Sequence, residues 1–241
     1  MRWHLTASLT TIVLLFSIWS NLLADQSSKN MHELEAGNYL SDRYIKILEK
    51  THSPLTAEEG ALKLVVVKKL NNFAEILPIM NFHEGGPSFR VEHSGAVTLN
   101  NAAGLDIKHY TVRINKYDEL TLGFNDFSPE KFILTKDLQD FIRRKSVAGS
   151  YIDNEGRSYK FEPNGIAITP TSTFRYTVGV DHIPYHFDYI EDSDTHQIYR
   201  FVRKKCHLEI YKVLDAVENQ HGNDGRNVTI FASLDKVGCK D

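Results

Sequence analysis

Short segments that alternate apolar and polar residues follow one another along most of this chain, with turn-forming residues between them. Alternation of period two places every second side chain on one face, which suits a half-buried strand and not a helix. In SFRVE, Phe89 and Val91 share a face; in KHYTVRIN, Tyr110, Val112 and Ile114; in ELTLGFN, Leu120, Leu122 and Phe124; in KFILTK, Phe132 and Leu134. The second half continues the scheme through SYKFE, FRYTVGVD, HFDYIED, QIYRFVRKK, HLEIYKV and VTIFASL. Such strands, bounded by Gly, Pro, Asn and Asp, predict an all-β protein of antiparallel up-and-down strands, forming a barrel or two related β-units. ALKLVVVKKL and FAEILPIMNF also read as strands, and Pro78 assigns the latter to an edge or a bulge. SDRYIKILEKT departs from the pattern. Tyr44, Ile45, Ile47 and Leu48 fall near helical spacing behind a capping Ser41, so one short N-terminal helix is expected, a strand over YIKIL being the alternative. No long helical stripe follows Gly60.

Composition agrees with strands: 13 Phe and 11 Tyr stand against 3 Met. The formal net charge of -3 excludes the basic excess of a nucleic-acid binder. The run Arg203-Lys204-Lys205 reads as a solvated strand end.

The first residues, MRWHLTASLTTIVLLFSIWSNLLAD, place Arg2 before an apolar stretch and small and polar residues after it. That order is expected of a secretory signal peptide over 1–24, cleaved after Ala24, with an uncleaved anchor as the alternative. Export makes a secreted or periplasmic protein and an oxidising environment, in which Cys206 and Cys239 are expected to pair. Neither cysteine has a second one two to four positions away, so zinc is not indicated. Two unpaired thiols are the alternative.

The chain also writes nearly the same octet twice. SFRVEHSG begins at Ser88 and SYKFEPNG at Ser158. Further on, Tyr110-Thr111-Val112 is echoed by Tyr176-Thr177-Val178. An internal duplication predicts two β-units, 25–147 with the short helix and 148–241, in which the octets open equivalent hairpins. Phe89 and Tyr159 then point inward, as do Val91 and Phe161, while Arg90 and Lys160 face solvent with a glutamate to pair across strands. Gly95 and Gly165 serve the turns. The alternative is chance likeness between amphipathic strands.

The stretch GSYIDNEGRSYKFEPNGIAI resembles the opening hairpins of lipocalin-like, or calycin-like, β-barrels. Gly149 and Tyr151 stand where that family carries an early glycine and aromatic, with Tyr151 in place of the family's tryptophan. The resemblance runs from about Ala148 to the C-terminus and implies an up-and-down barrel able to hold an apolar ligand. Its lining would be Tyr151, Tyr159, Phe161, Tyr176, Phe187, Tyr189, Tyr199 and Phe201.

Signals for catalysis are sparse. His83-Glu84 lacks a second histidine four places on and sits among Gly85, Gly86 and Pro87. His182 and His186 are four apart with Asp181 and Asp188 nearby, but Pro184 interrupts them. Asp188, Glu191, Asp192 and Asp194 lack calcium-loop spacing. Asn227-Val228-Thr229 is a glycosylation sequon. No nucleophile elbow, phosphate loop or dinucleotide fingerprint occurs. The expectation is therefore an exported, non-catalytic binding protein without a cofactor, taking a small apolar ligand or an envelope protein, with no nucleic acid and no membrane beyond the signal segment. The alternatives are an envelope interaction module, or a hydrolase or metal enzyme using His83, His182 or His186.

Overall fold

The computed structural model describes residues 34–58, 63–79, 87–94, 96–100, 106–116, 118–125, 127–180, 185–214 and 228–239. The segment 1–24, expected from the sequence to be a signal peptide, lies outside them. Among the described residues sixteen strands and three helices are formed. The first eight strands are β1 (Gly37–Ser41), β2 (Leu64–Lys69), β3 (Phe73–Ile79), β4 (Ser88–Glu92), β5 (Val97–Asn100), β6 (Tyr110–Lys116), β7 (Glu119–Phe124) and β8 (Phe127–Thr135). They pair antiparallel in the order β5-β4-β3-β2-β1-β8-β7-β6. One apolar cluster takes residues from all eight, including Tyr39, Val65, Ile76, Phe89, Leu99, Val112, Leu122 and Phe132. The sheet is therefore curled around its own core, with an unpaired seam between β5 and β6. Tyr110 on β6 spans that seam, its hydroxyl donating to the Val97 carbonyl at 3.2 Å.

The second eight close completely. They are β9 (Gly149–Asp153), β10 (Ser158–Phe161), β11 (Ile166–Ile168), β12 (Thr173–Val178), β13 (Tyr189–Asp192), β14 (Ile198–Lys204), β15 (His207–Val213) and β16 (Val228–Lys236). Each pairs antiparallel with the next, and β16 returns to β9. The fold is thus all-β, with two eight-stranded up-and-down sheets.

Helix α1 (Asp42–Thr51) follows β1 without a loop, and Ser41 caps it by accepting from the Tyr44 amide at 3.0 Å. Helix α2 (Pro54–Glu58) follows, and α3 (Leu138–Ser146) lies between the two sheets in the chain. Neither was expected from the sequence. Tyr44, Ile45 and Leu48 of α1 join Leu40, Leu64, Ile142 and the barrel's inward residues in one core. Polar contacts reinforce it: Nδ1 of His52 bonds to the Lys145 carbonyl at 2.7 Å, and the Leu55 amide donates to Asp188 at 2.8 Å.

The repeat has a different phase from the one the octets suggest. Both meanders open on Gly-x-Tyr, at Gly37-Asn38-Tyr39 and Gly149-Ser150-Tyr151. Both glycines take positive φ, 154° and 159°. Both tyrosines are fully buried, and each hydroxyl donates to a carbonyl four residues back, Glu35 at 2.8 Å and Val147 at 2.7 Å. A side chain at Gly37 would stand 2.7 Å from Leu134, and one at Gly149 would stand 3.2 Å from the Tyr151 ring. Aligning β1 with β9 makes SFRVE the fourth strand of its meander and SYKF the second of the other. The octets do not occupy equivalent places.

Their inward pattern is nevertheless as expected, with Phe89, Val91, Tyr159 and Phe161 all buried. Gly165 takes φ 89° in its turn, and Gly95 lies outside the described residues. The octet's charges pair within the strand rather than across strands, Arg90 with Glu92 and Lys160 with Glu162, both at 2.6 Å. Pro78 also differs from expectation. β3 is an interior strand, but its ladder to β4 covers only Phe73 to Ile76, so Pro78 faces β2 alone and its missing donor breaks no bond.

Candidate functional site

The two ends of the closed barrel differ. At the end where β9 begins, α3 lies across the strands. Arg143, buried on α3, donates from Nε to the Pro163 carbonyl at 2.7 Å and from Nη1 toward the Tyr176 carbonyl at 3.4 Å. Arg203 on β14 donates from Nη1 to the Ser146 carbonyl at 2.9 Å and to the Tyr151 hydroxyl. The Gln139 side chain bonds both backbone groups of Val178. At the other end the strands are joined by hairpins at 154–157, 169–172 and 193–197.

Inside, the aromatic residues form two layers. Tyr151, Phe161, Tyr176 and Phe201 are fully buried and make the lower one. Tyr151 meets Phe161 edge-on at 6.0 Å, and Phe161 meets Tyr176 at 5.7 Å and 89°. These edge-to-face contacts fill the interior on the α3 side. One strand step nearer the hairpins, Phe174 stacks on Tyr199 at 6.0 Å and Tyr199 meets Phe231 at 5.1 Å. These three rings are only half-buried. Ala167 and Ala232 are the small side chains of the same core.

Of the residues expected to line a site, Tyr151, Phe161, Tyr176, Phe201, Tyr199 and Tyr159 share the inward face. Phe187 and Tyr189 do not join them. Tyr189 pairs with Arg200, whereas the inward pair on those strands is Ile190 and Tyr199. Phe187 and Tyr189 pack instead with Tyr185, Ile198 and Val213 in a separate cluster. Phe174 and Phe231 complete the upper layer. Phe174 was legible from its alternation with Tyr176. Phe231 was not, because the strict alternation set by Ala232 and Leu234 turns it outward. The ladder jumps from Ile210–Ala232 to Tyr211–Ile230, and this bulge re-aims Phe231 toward Tyr199.

The titrating groups here are phenols, and burial governs them. Burial raises Tyr176 against the opposing Arg143 guanidinium, and pushes Tyr151 up to about 12 against Arg203. Tyr199 is raised by burial and then by the Asp192 carboxylate. All are neutral at ordinary pH and present apolar faces with one hydrogen-bonding tip. Asp192 accepts from the Asp194 and Thr195 amides and the Thr195 hydroxyl, Asp194 pairs with Arg175, and Glu191 with His196. With Asp188 held by Leu55, the four acids point to four different partners. His83 and His182 lie outside the described residues, as does Asn227, and His186 is exposed. Among the described residues no three His, Cys, Asp or Glu side chains gather as metal ligands.

Outside the barrel, a groove of about 670 Å³ runs between α3 and β9–β10, lined by Asp140, Arg144, Ser150, Lys160, Glu162 and Asn164. Its charges are matched internally, Arg144 to Asp140 at 2.7 Å and Lys160 to Glu162 at 2.6 Å. Cys206 and Cys239 form a disulfide with Cα atoms 5.5 Å apart. Among the described residues no helix is long and apolar enough to cross a membrane.

No family model matches the chain, and no curated protein or solved structure matches it either.

Proposed function

We propose that this is an exported, non-catalytic, lipocalin-like binding protein that holds a small apolar ligand at the hairpin end of the barrel β9–β16. The observation that carries the reading is the half-buried layer of Phe174, Tyr199 and Phe231 above a fully packed aromatic floor. Inward aromatic residues that keep part of their surface in water have apolar area left to bury, and a flat or branched apolar ligand would cover it. The solid floor limits depth, so the ligand class is small and compact rather than a long chain. The disulfide and the signal-like first residues support export.

The neutral fluorophore N-phenyl-1-naphthylamine tests the site. Its fluorescence should rise saturably on mixing with the protein, and Tyr199→Ala and Phe174→Ala should each weaken binding about tenfold, from the lost contact area. Equal binding by wild type and both variants, or no saturable signal, would overturn the reading. Fractionation of the source cells with N-terminal sequencing tests export, a mature start at Asp25 being expected.

A further inference from the structure

The α3 end of the closed barrel carries positive charge that no acid among the described residues pairs with. Arg203, Lys204, Lys205 and Lys236 meet there around the Cys206–Cys239 bridge, and none of the four makes an ion pair among the described residues. The neighbouring acids are engaged elsewhere: Asp235 with His207 at 2.8 Å, Asp140 with Arg144 at 2.7 Å, and Glu49 with Lys145 at 2.6 Å.

Two of the cations are fixed. Among the described residues Arg203 donates only to neutral oxygens, the Ser146 carbonyl, the Tyr151 hydroxyl and, at 3.3 Å from Nε and from Nη2, the Lys205 carbonyl. Lys236 stands opposite Tyr151 in the β16–β9 ladder, and its amide donates to the Cys206 carbonyl at 2.7 Å. Its stem lies against Gly149, where a side chain would come within 3.2 Å of Cε. Two strands from Lys236, Arg203 sits in register with Leu208, which pairs with Leu234, so both cations end the same inward row. A surface lysine would swing clear of a like charge, but Lys236 is half-buried and held by its stem. Its ammonium is pushed below the usual lysine range, by burial first and then by Arg203. Like charges held together in a partly desolvated place cost free energy that an anion between them would reverse.

We propose that this end of the barrel is a binding site for a phosphate-type oxyanion, held by Arg203 and Lys236 with Lys205 at its edge, the phosphate being free or carried on a lipid headgroup. A doubly charged tetrahedral anion matches two convergent cations in charge, and its several oxygens serve both the remaining guanidinium hydrogen and the ammonium. The bridge fixes the Cys206 turn and the chain after Lys236 relative to each other, which holds the site's geometry. The site is at the opposite end of the barrel from the aromatic layer, so either proposal stands without the other.

Titration with inorganic phosphate, followed by amide NMR at constant ionic strength, reads the site directly. Saturable shifts are expected at Ser146, Cys206 and Lys236, and Lys236→Met, which keeps the stem over Gly149, should weaken binding tenfold or more. Arg203→Lys should weaken it too; if that variant fails to fold, Lys236→Met decides. Flotation with vesicles containing phosphatidic acid, whose phosphomonoester can carry two charges, against phosphatidylcholine vesicles distinguishes the sources: capture by the former alone, lost in Lys236→Met, assigns a lipid headgroup, and phosphate binding without capture assigns a free anion. Shifts that chloride reproduces overturn the proposal. So does unchanged affinity in a folded Lys236→Met, or the absence of both phosphate shifts and vesicle capture.

Discussion

Tyr151 joins the closed barrel to α3 through one hydroxyl. That group donates to the Val147 carbonyl at 2.7 Å and accepts from Arg203, in a place with no access to water. Tyr151→Phe keeps the ring and removes both bonds, leaving a buried carbonyl and a guanidinium hydrogen unmet. The expected loss is about 1–3 kcal/mol in urea-induced unfolding, with the slope unchanged. The same burial makes the fold sensitive to alkali. A phenol raised in the folded state contributes its full share of stability below its unfolded value, near 10, and loses that share as pH rises through the folded value. With Tyr151 pushed up to about 12, roughly 3 kcal/mol should be lost between about pH 10 and 12. Tyr39, Tyr44 and Tyr176 are raised as well, each chiefly by burial, and add to the fall. Unfolding curves taken at intervals across that range check this; stability that holds flat to pH 12 would mean that these phenols ionise without unfolding the protein.

At the scale of elements, Ser41 shows why parts of the fold were legible and others were not. The helix SDRYIKILEKT could be read because its apolar spacing and its cap lie within a few residues. Ser41 is also the last residue of β1, accepts from the Tyr44 amide and donates to Glu130 at 2.5 Å. Ser41→Ala should therefore cost more than a solvent-exposed cap, about 2 kcal/mol in thermal or urea unfolding; a change within experimental error would show that neither bond contributes. β1 itself escaped reading, since GNYLS is short and follows a polar stretch, yet β2 and β8 pair on either side of it. Its signal was the second Gly-x-Tyr at Gly149, visible only once the two meanders are aligned by their opening strands. Helix α3 escaped because LQDFIRRKS is nine residues with few apolar positions, and what holds it is arginine bonding to carbonyls far along the chain. The candidate site divides in the same manner. Alternation identified the inward row of Tyr151, Phe161, Tyr176, Tyr199 and Phe201. It placed Phe187 and Tyr189 on that row too, because a local pattern does not say which face of a strand looks inward. Phe231 depends on a bulge, which only the partner strand reveals.

For the whole molecule, the two sheets share a topology and differ in closure. Both are eight-stranded meanders in which the last strand returns to the first, β8 to β1 and β16 to β9. The second has no edge. The first leaves β5 and β6 as edges, bridged by the Tyr110 hydroxyl on Val97 and by the Tyr110 ring against Phe89 at 5.4 Å. An edge strand has ladder bonds on one side only, so it can leave the sheet without dismantling the rest. A strand of a closed barrel must break ladders on both sides. Amide hydrogen exchange under native conditions should therefore be faster in β5 and β6 than in any strand of β9–β16. β1 and β2, covered by α1, should behave like the closed barrel although they belong to the first sheet. Tyr110→Phe removes the bridging bond and keeps the ring contact. It should speed exchange in β4, β5 and β6 several-fold, in line with a loss of about 1 kcal/mol, and leave β9–β16 unchanged. Uniform protection across both sheets would mean that the seam opens only with the global unfolding of the protein. Acceleration of β9–β16 by Tyr110→Phe would mean that the core shared through α1 and α3 makes the two sheets a single cooperative unit.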